Sequence, residues 1–166
     1  LVGSEMCIRD RGCTVDRVDE LLSKYAQMNA QHHREVANDF VQPDKIENYV
    51  DTQVTKDIGD AIESLEYEIN TLYTSNGQTP FVTLGFGLGT DQLSRKIQQA
   101  ILHTRIKGLG KDRVTAIFPK LVFSIKKGIN FGPEDPNYDI KQLALECSTK
   151  RMYPDTVSYT HLRAHE

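Results

Sequence analysis

Tryptophan is absent from the 166 residues, and cysteine occurs only at Cys7, Cys13 and Cys147. An odd number of cysteines at irregular spacing argues against a disulfide framework and suits a reducing compartment, so a cytoplasmic location is expected. Long apolar runs are also missing. None approaches the roughly 20 residues of a membrane-spanning helix, and the first residues lack the basic stretch and apolar core of a secretory signal. Neither sign of charge dominates: a net charge of -3 and a pI near 6.0 give no electrostatic basis for binding nucleic acid. There is no internal repeat and no low-complexity tract. What is present is 39% apolar content, enough for one domain-sized core.

The two ends differ in character from the rest. Residues 1–11, LVGSEMCIRDR, and 157–166, VSYTHLRAHE, resemble translated sequencing-adapter read-through. They are set aside as foreign and expected to be disordered, which leaves residues 12–156 as one internal segment of a larger domain.

Val15 to about Val41 has a helical period, with Val18, Leu21, Leu22, Tyr25, Met28, His32, Val36 and Phe40 on one stripe and Asp16, Asp19 and Glu20 in its first turns. Asp44 to about Tyr73 repeats the pattern through Ile46, Val50, Val54, Ile58, Ile62, Leu65, Ile69 and Leu72, with Gly59 weakening its middle. The polar turn Ser75-Asn76-Gly77-Gln78 closes it. Thr79 to Phe86 then has the composition of a strand buried on both faces. Asp91 to Lys107 is a helix ended by Gly108, Leu121 to Ile125 is the strongest part of a second strand, and Tyr138 to about Lys150 is a last helix. Two helices followed by a βαβα unit predict an α/β fold with parallel neighbouring strands, Pro80 to Phe86 and Lys120 to Ile125.

The chemistry-bearing stretch is Gly85-Phe86-Gly87-Leu88-Gly89-Thr90, between the first strand and the Thr90-Asp91 start of a helix. Backbone N–H groups at such a place can meet a phosphate, yet the spacing is not G-x-G-x-x-G, and a packing turn explains the same glycines. Elsewhere the residues favour structural roles. His32 falls on the apolar stripe and His33 off it, too close in sequence for a metal pair on one face. Glu63, Glu66 and Glu68 read as an exposed helix face. Cys147 reads as a small buried thiol. No catalytic residue and no metal ligand is assigned.

Three long stretches, SLEYEINTLYTSNGQTPFVTLGFGLGT, RIKGLGKDRVTAIFPKLVF and DPNYDIKQLALECSTKRMYPD, closely resemble the anaerobic (class III) ribonucleoside-triphosphate reductases, a glycyl-radical enzyme family. The resemblance implies a fragment of a ten-stranded α/β barrel that reduces ribonucleoside triphosphates to deoxyribonucleoside triphosphates. It also implies a C-terminal glycyl radical made by a radical-SAM activating enzyme, a thiyl radical on a barrel-loop cysteine, a structural zinc, deoxynucleotide and ATP effectors, and a homodimer. The radical cysteine and radical glycine are expected beyond Asp155, so the fragment alone should be inactive. Gln78, Gly87, Gly89 and Thr90 are the expected nucleotide-facing residues: the three after the first strand because α/β ligand sites favour strand C-terminal ends, and Gln78 because the polar NGQT turn lies whole within the resemblance, although by the strand-end rule Asn76 to Pro80 also reads as purely structural. Two readings of another class remain: a phosphate-binding α/β module without redox chemistry, and a helical interaction domain, which the strand signals disfavour.

Overall fold

The computed structural model describes residues 12–71 and 81–159. Its elements are β1 (Gly12–Val15), α1 (Val18–Ala37), a 3-10 turn (Pro43–Lys45), α2 (Ile46–Thr71), β2 (Phe81–Phe86), α3 (Gln92–Lys107), β3 (Lys120–Ile125), α4 (Tyr138–Arg151) and β4 (Asp155–Ser158). The four strands form one sheet in the order β1-β2-β3-β4, every pair parallel. The fold is therefore α/β, and the expected parallel pair β2 and β3, with α3 between them, is present. The polar turn before β2, with Asn76, Gly77 and Gln78, lies outside the described residues.

The register divides the sheet into two faces. Leu84 pairs with Leu121 and Phe86 with Phe123, and all four are buried in one cluster with Ile97, Ile101 and Leu102 of α3 and Ile140, Ala144 and Cys147 of α4. Side chains alternate along a strand, so Thr14, Thr83, Gly85, Val122 and Asp155 belong to the other face. A Lys120–Asp155 ion pair of 2.9 Å lies between two strands of that set.

The order of the first elements differs from expectation. Gly12–Val15 is a strand, not the start of a helix: Cys13, Thr14 and Val15 gain their ladder from β2, nearly seventy residues on, a pairing no local period can reveal. Arg17, at φ 52°, makes the turn from strand to helix. On α1 the buried residues are Val18, Asp19, Ser23, Ala26 and Ala37, while Leu21, Tyr25 and Met28 are exposed. Small side chains let α1 approach its neighbours closely, and this rotates the larger apolar residues outward. Consequently His32 is exposed, and His33 is the partly buried histidine, 2.7 Å from Asp57. Glu66 is likewise buried rather than on an exposed face, because Arg105 of α3 reaches it at 3.1 Å. At the other end β4 extends two residues into the adapter-like stretch, pairing Val157 with Ser124 and Ser158 with Ile125. Residues 1–11 and 160–166 lie outside the described part.

Candidate functional site

The C-terminal ends of β1, β2 and β3 meet at the glycine turn. Phe86 is the last residue of β2, and the chain then passes through Gly87, Leu88 and Gly89, all buried, to the exposed Thr90. Gly87 has φ 117°, a conformation L side chains rarely adopt, and a Cβ there would lie 2.9 Å from the Phe123 ring. At Gly89 a Cβ would come within 2.5 Å of Ser94 and 3.0 Å of Asp19. Asp91 rather than Thr90 is the N-cap of α3, accepting from Ser94 N–H at 3.0 Å and from the Ser23 hydroxyl at 2.8 Å.

The turn's amides already hold an anion, and it comes from the chain itself. Gly87 N–H and Gly89 N–H both donate to Asp19 Oδ2, at 3.3 and 3.0 Å, and Gln98 Nε2 donates to the same oxygen at 2.6 Å. Asp19 is fully buried in the first turn of α1. Burial pushes its carboxyl above the usual carboxylate range, and the Gly89, Gly87 and Gln98 donors pull the other way. Its second oxygen, Oδ1, and Gln98 Oε1 have no protein hydrogen-bond partner.

The carbonyls of the turn are held as well. Gly87 O accepts from Asn130 Nδ2 at 2.9 Å, and Gly89 O accepts from Gln98 Nε2 at 2.8 Å and Asn137 Nδ2 at 2.7 Å. Asn130 also donates to Ser124 O and accepts from Lys126 N–H, both at 2.9 Å, while Asn137 accepts from Arg95 at 2.7 Å. Both asparagines are fully buried. Four side chains from three segments, α1, α3 and the β3–α4 connection, thus fix one three-residue turn. Beside it, Gly85 leaves room for Asp16, whose Oδ1 would be 2.5 Å from a Cβ at that position.

Of the sequence-derived site residues, the structure brings Gly87, Gly89 and Thr90 together at the strand ends; Gln78 lies outside the described part. The N–H groups of Gly87 and Gly89 are engaged by Asp19, and Thr90 alone of the three is exposed. Sequence reasoning missed Asp19, Gln98, Asn130 and Asn137. By sequence Asp19 is an ordinary first-turn acid; its one signal is position, among residues three and four apart from the inward Ala26 face. Among the described residues no cluster of three or more His, Cys, Asp or Glu could hold a metal. No described helix is long and apolar enough to cross a membrane.

The family model described as anaerobic ribonucleoside-triphosphate reductase matches residues 10–166. The anaerobic ribonucleoside-triphosphate reductase of Haemophilus influenzae is 60% identical over 148 residues, 89% of this chain and 21% of its own length. The Escherichia coli protein of the same name is 56% identical over the same shares. That of phage T4 is 52% identical over 153 residues, 92% of this chain and 25% of its own. The chain therefore spans about a fifth to a quarter of the length of these curated relatives. With a match across nearly its whole length, the chain belongs to the anaerobic ribonucleoside-triphosphate reductase family.

Proposed function

We propose that this chain is part of a reductase that converts ribonucleoside triphosphates to deoxyribonucleoside triphosphates for DNA synthesis. The carrying observation is identity of 52–60% to proteins of that name over 89–92% of the chain. On this reading residues 12–156 are the reductase-derived segment, and the sheet is an arc of the ten-stranded barrel. The sequential order of four parallel strands supports the arc: right-handed crossovers between successive neighbours put every helix on one face and leave the other for a barrel interior. The exposed Leu21, Tyr25 and Met28 on α1 support a homodimeric parent. The activating enzyme, the effectors and a cytoplasmic location belong to the same reading.

In the parent enzyme the oxidising centre for reduction of the ribose would come from a glycyl radical outside the described residues. The described residues do not fit the family's zinc, since no suitable ligand cluster exists among them. What these residues do is bind and orient. The strand-end rim of Gly87, Gly89 and Thr90 faces the nucleotide: Thr90 by its exposed hydroxyl, and the glycines by the shape their backbone holds; Gln78, outside the described residues, is a separate nucleotide-binding candidate. In the full-length enzyme Gln78→Ala and Thr90→Ala should weaken substrate or effector binding while leaving the fold intact. Normal nucleotide binding by both variants, with only earlier melting, would show the stretch to be scaffold.

A further inference from the structure

We propose that Asp19 is a positioning residue: its carboxylate occupies the amide nest of Gly87 and Gly89 as an internal anion, and so sets the shape of the rim turn against which the nucleotide is held. The proposal rests on the reductase reading above. Successive N–H groups at a strand end before a helix form a site for a phosphate or carboxylate. Here one oxygen of Asp19 takes both glycine N–H groups, at 3.3 and 3.0 Å, and the amide of Gln98 at 2.6 Å. Asp19 is completely buried, and no Lys or Arg is among its bonded partners, so its stabilisation comes from these dipoles. Three features make this more than a packing contact. A Cβ at Gly89 would lie 3.0 Å from Asp19 Oδ2, so the turn is glycine where the carboxylate enters. Ser94 Oγ donates to Asp19 O at 3.3 Å, fixing the backbone of the acid as well as its side chain. And Gln98 bridges Asp19 Oδ2 and Gly89 O with one amide, tying the acid to both sides of the turn.

The turn consequently presents no free N–H at Gly87 or Gly89 to a phosphate, and the nucleotide meets a preformed surface. Removing the acid leaves the buried N–H groups of Gly87 and Gly89 unpaired, leaves Gln98 Nε2 with Gly89 O alone, and lets the turn relax or capture an outside anion.

The test uses the full-length enzyme. Asp19→Gly removes a CH2 and a carboxylate, a space matched in composition by acetate. Asp19→Asn keeps the shape and one acceptor oxygen, so it is the variant that folds if the first does not. Activation is followed by the glycyl-radical EPR signal, and kcat and KM for nucleotide are read well below the melting temperature. The expected result is an unchanged radical yield with kcat/KM lowered on the order of tenfold or more in Asp19→Gly, as for a displaced positioning contact. Asp19→Asn should fall between it and wild type. Added acetate should restore kcat/KM in Asp19→Gly and leave wild type unaffected. Wild-type kcat/KM in both variants with only a lower Tm makes Asp19 structural and overturns the proposal, as does acetate that restores Tm but not kcat/KM. A wild-type enzyme that reduces no nucleotide sinks the functional reading instead, and is seen before any variant is assayed.

Discussion

At the scale of single residues, buried ionisable groups give this chain its most specific chemistry. Arg105 is fully buried and donates to Glu66 Oε1 at 3.1 Å, Ala116 O at 3.1 Å and Pro119 O at 2.8 Å. Glu66 Oε2 has no partner. Arg105→Ala leaves the carboxylate buried alone and should cost about 3–5 kcal/mol, readable as a loss of urea midpoint. The pH dependence has a definite sign. Burial raises Glu66 above its ordinary 4.5, with Arg105 opposing, so the folded state holds its proton to higher pH than the unfolded chain does. Stability from this group is complete below about 4.5 and falls as pH rises through the folded value. Glu66→Gln should flatten that fall, and an unchanged urea-midpoint profile across this range would refute it. The two described cysteines should also separate. Burial pushes the Cys147 thiol up to about 11, whereas Cys13 is exposed. Iodoacetamide at pH 8 should alkylate Cys13 and spare Cys147 until the chain is unfolded; equal labelling rates in the folded chain would contradict the burial. The composition around Cys147 already indicated an inert thiol. Nothing in the sequence could disclose the Glu66–Arg105 pair or the Asp19 nest, because each joins residues 39 or more positions apart.

Among the elements, those with strong local signals are where the sequence places them. β2 and β3 carry β-branched and aromatic runs, α3 ends at Gly108, whose N–H donates to Thr104 O at 3.0 Å, and α4 spans Tyr138–Arg151. β1 and the facing of α1 were not legible, since both are decided by long-range packing. The same division fixes the sign of glycine substitutions. Gly59 lies within α2, and a Cβ added there would meet nothing within 4 Å, so Gly59→Ala should stabilise the chain by about 1 kcal/mol. Gly89→Ala meets Ser94 at 2.5 Å and Asp19 at 3.0 Å and should destabilise it. Thermal melts of the two variants moving in the same direction would mean that either the helix or the turn is packed differently.

Across the whole molecule, a four-stranded parallel sheet with sequential order has two outer strands, β1 and β4, each paired on one side only within the described residues. Its helix-facing side is filled by Leu84, Phe86, Leu121 and Phe123, while the opposite side carries Thr14, Thr83, Val122 and the Lys120–Asp155 pair. A polar face with a few apolar residues does not form an independent core, and each outer strand leaves one edge without a partner among the described residues. On the proposed reading, radical reduction also needs a site that excludes water around its reactive groups, and the described sheet, open at both edges, encloses no such space. The described residues supply oriented backbone and a rim turn, and among them no cluster of three or more His, Cys, Asp or Glu could hold a metal. The isolated polypeptide should therefore show no nucleotide reduction under anaerobic assay with the activating enzyme, a formate or thiol reductant, and ribonucleoside triphosphates. Deoxynucleotide formed by this chain alone would overturn that expectation, and with it the view that the chain contributes scaffold and a nucleotide-facing rim rather than the radical machinery.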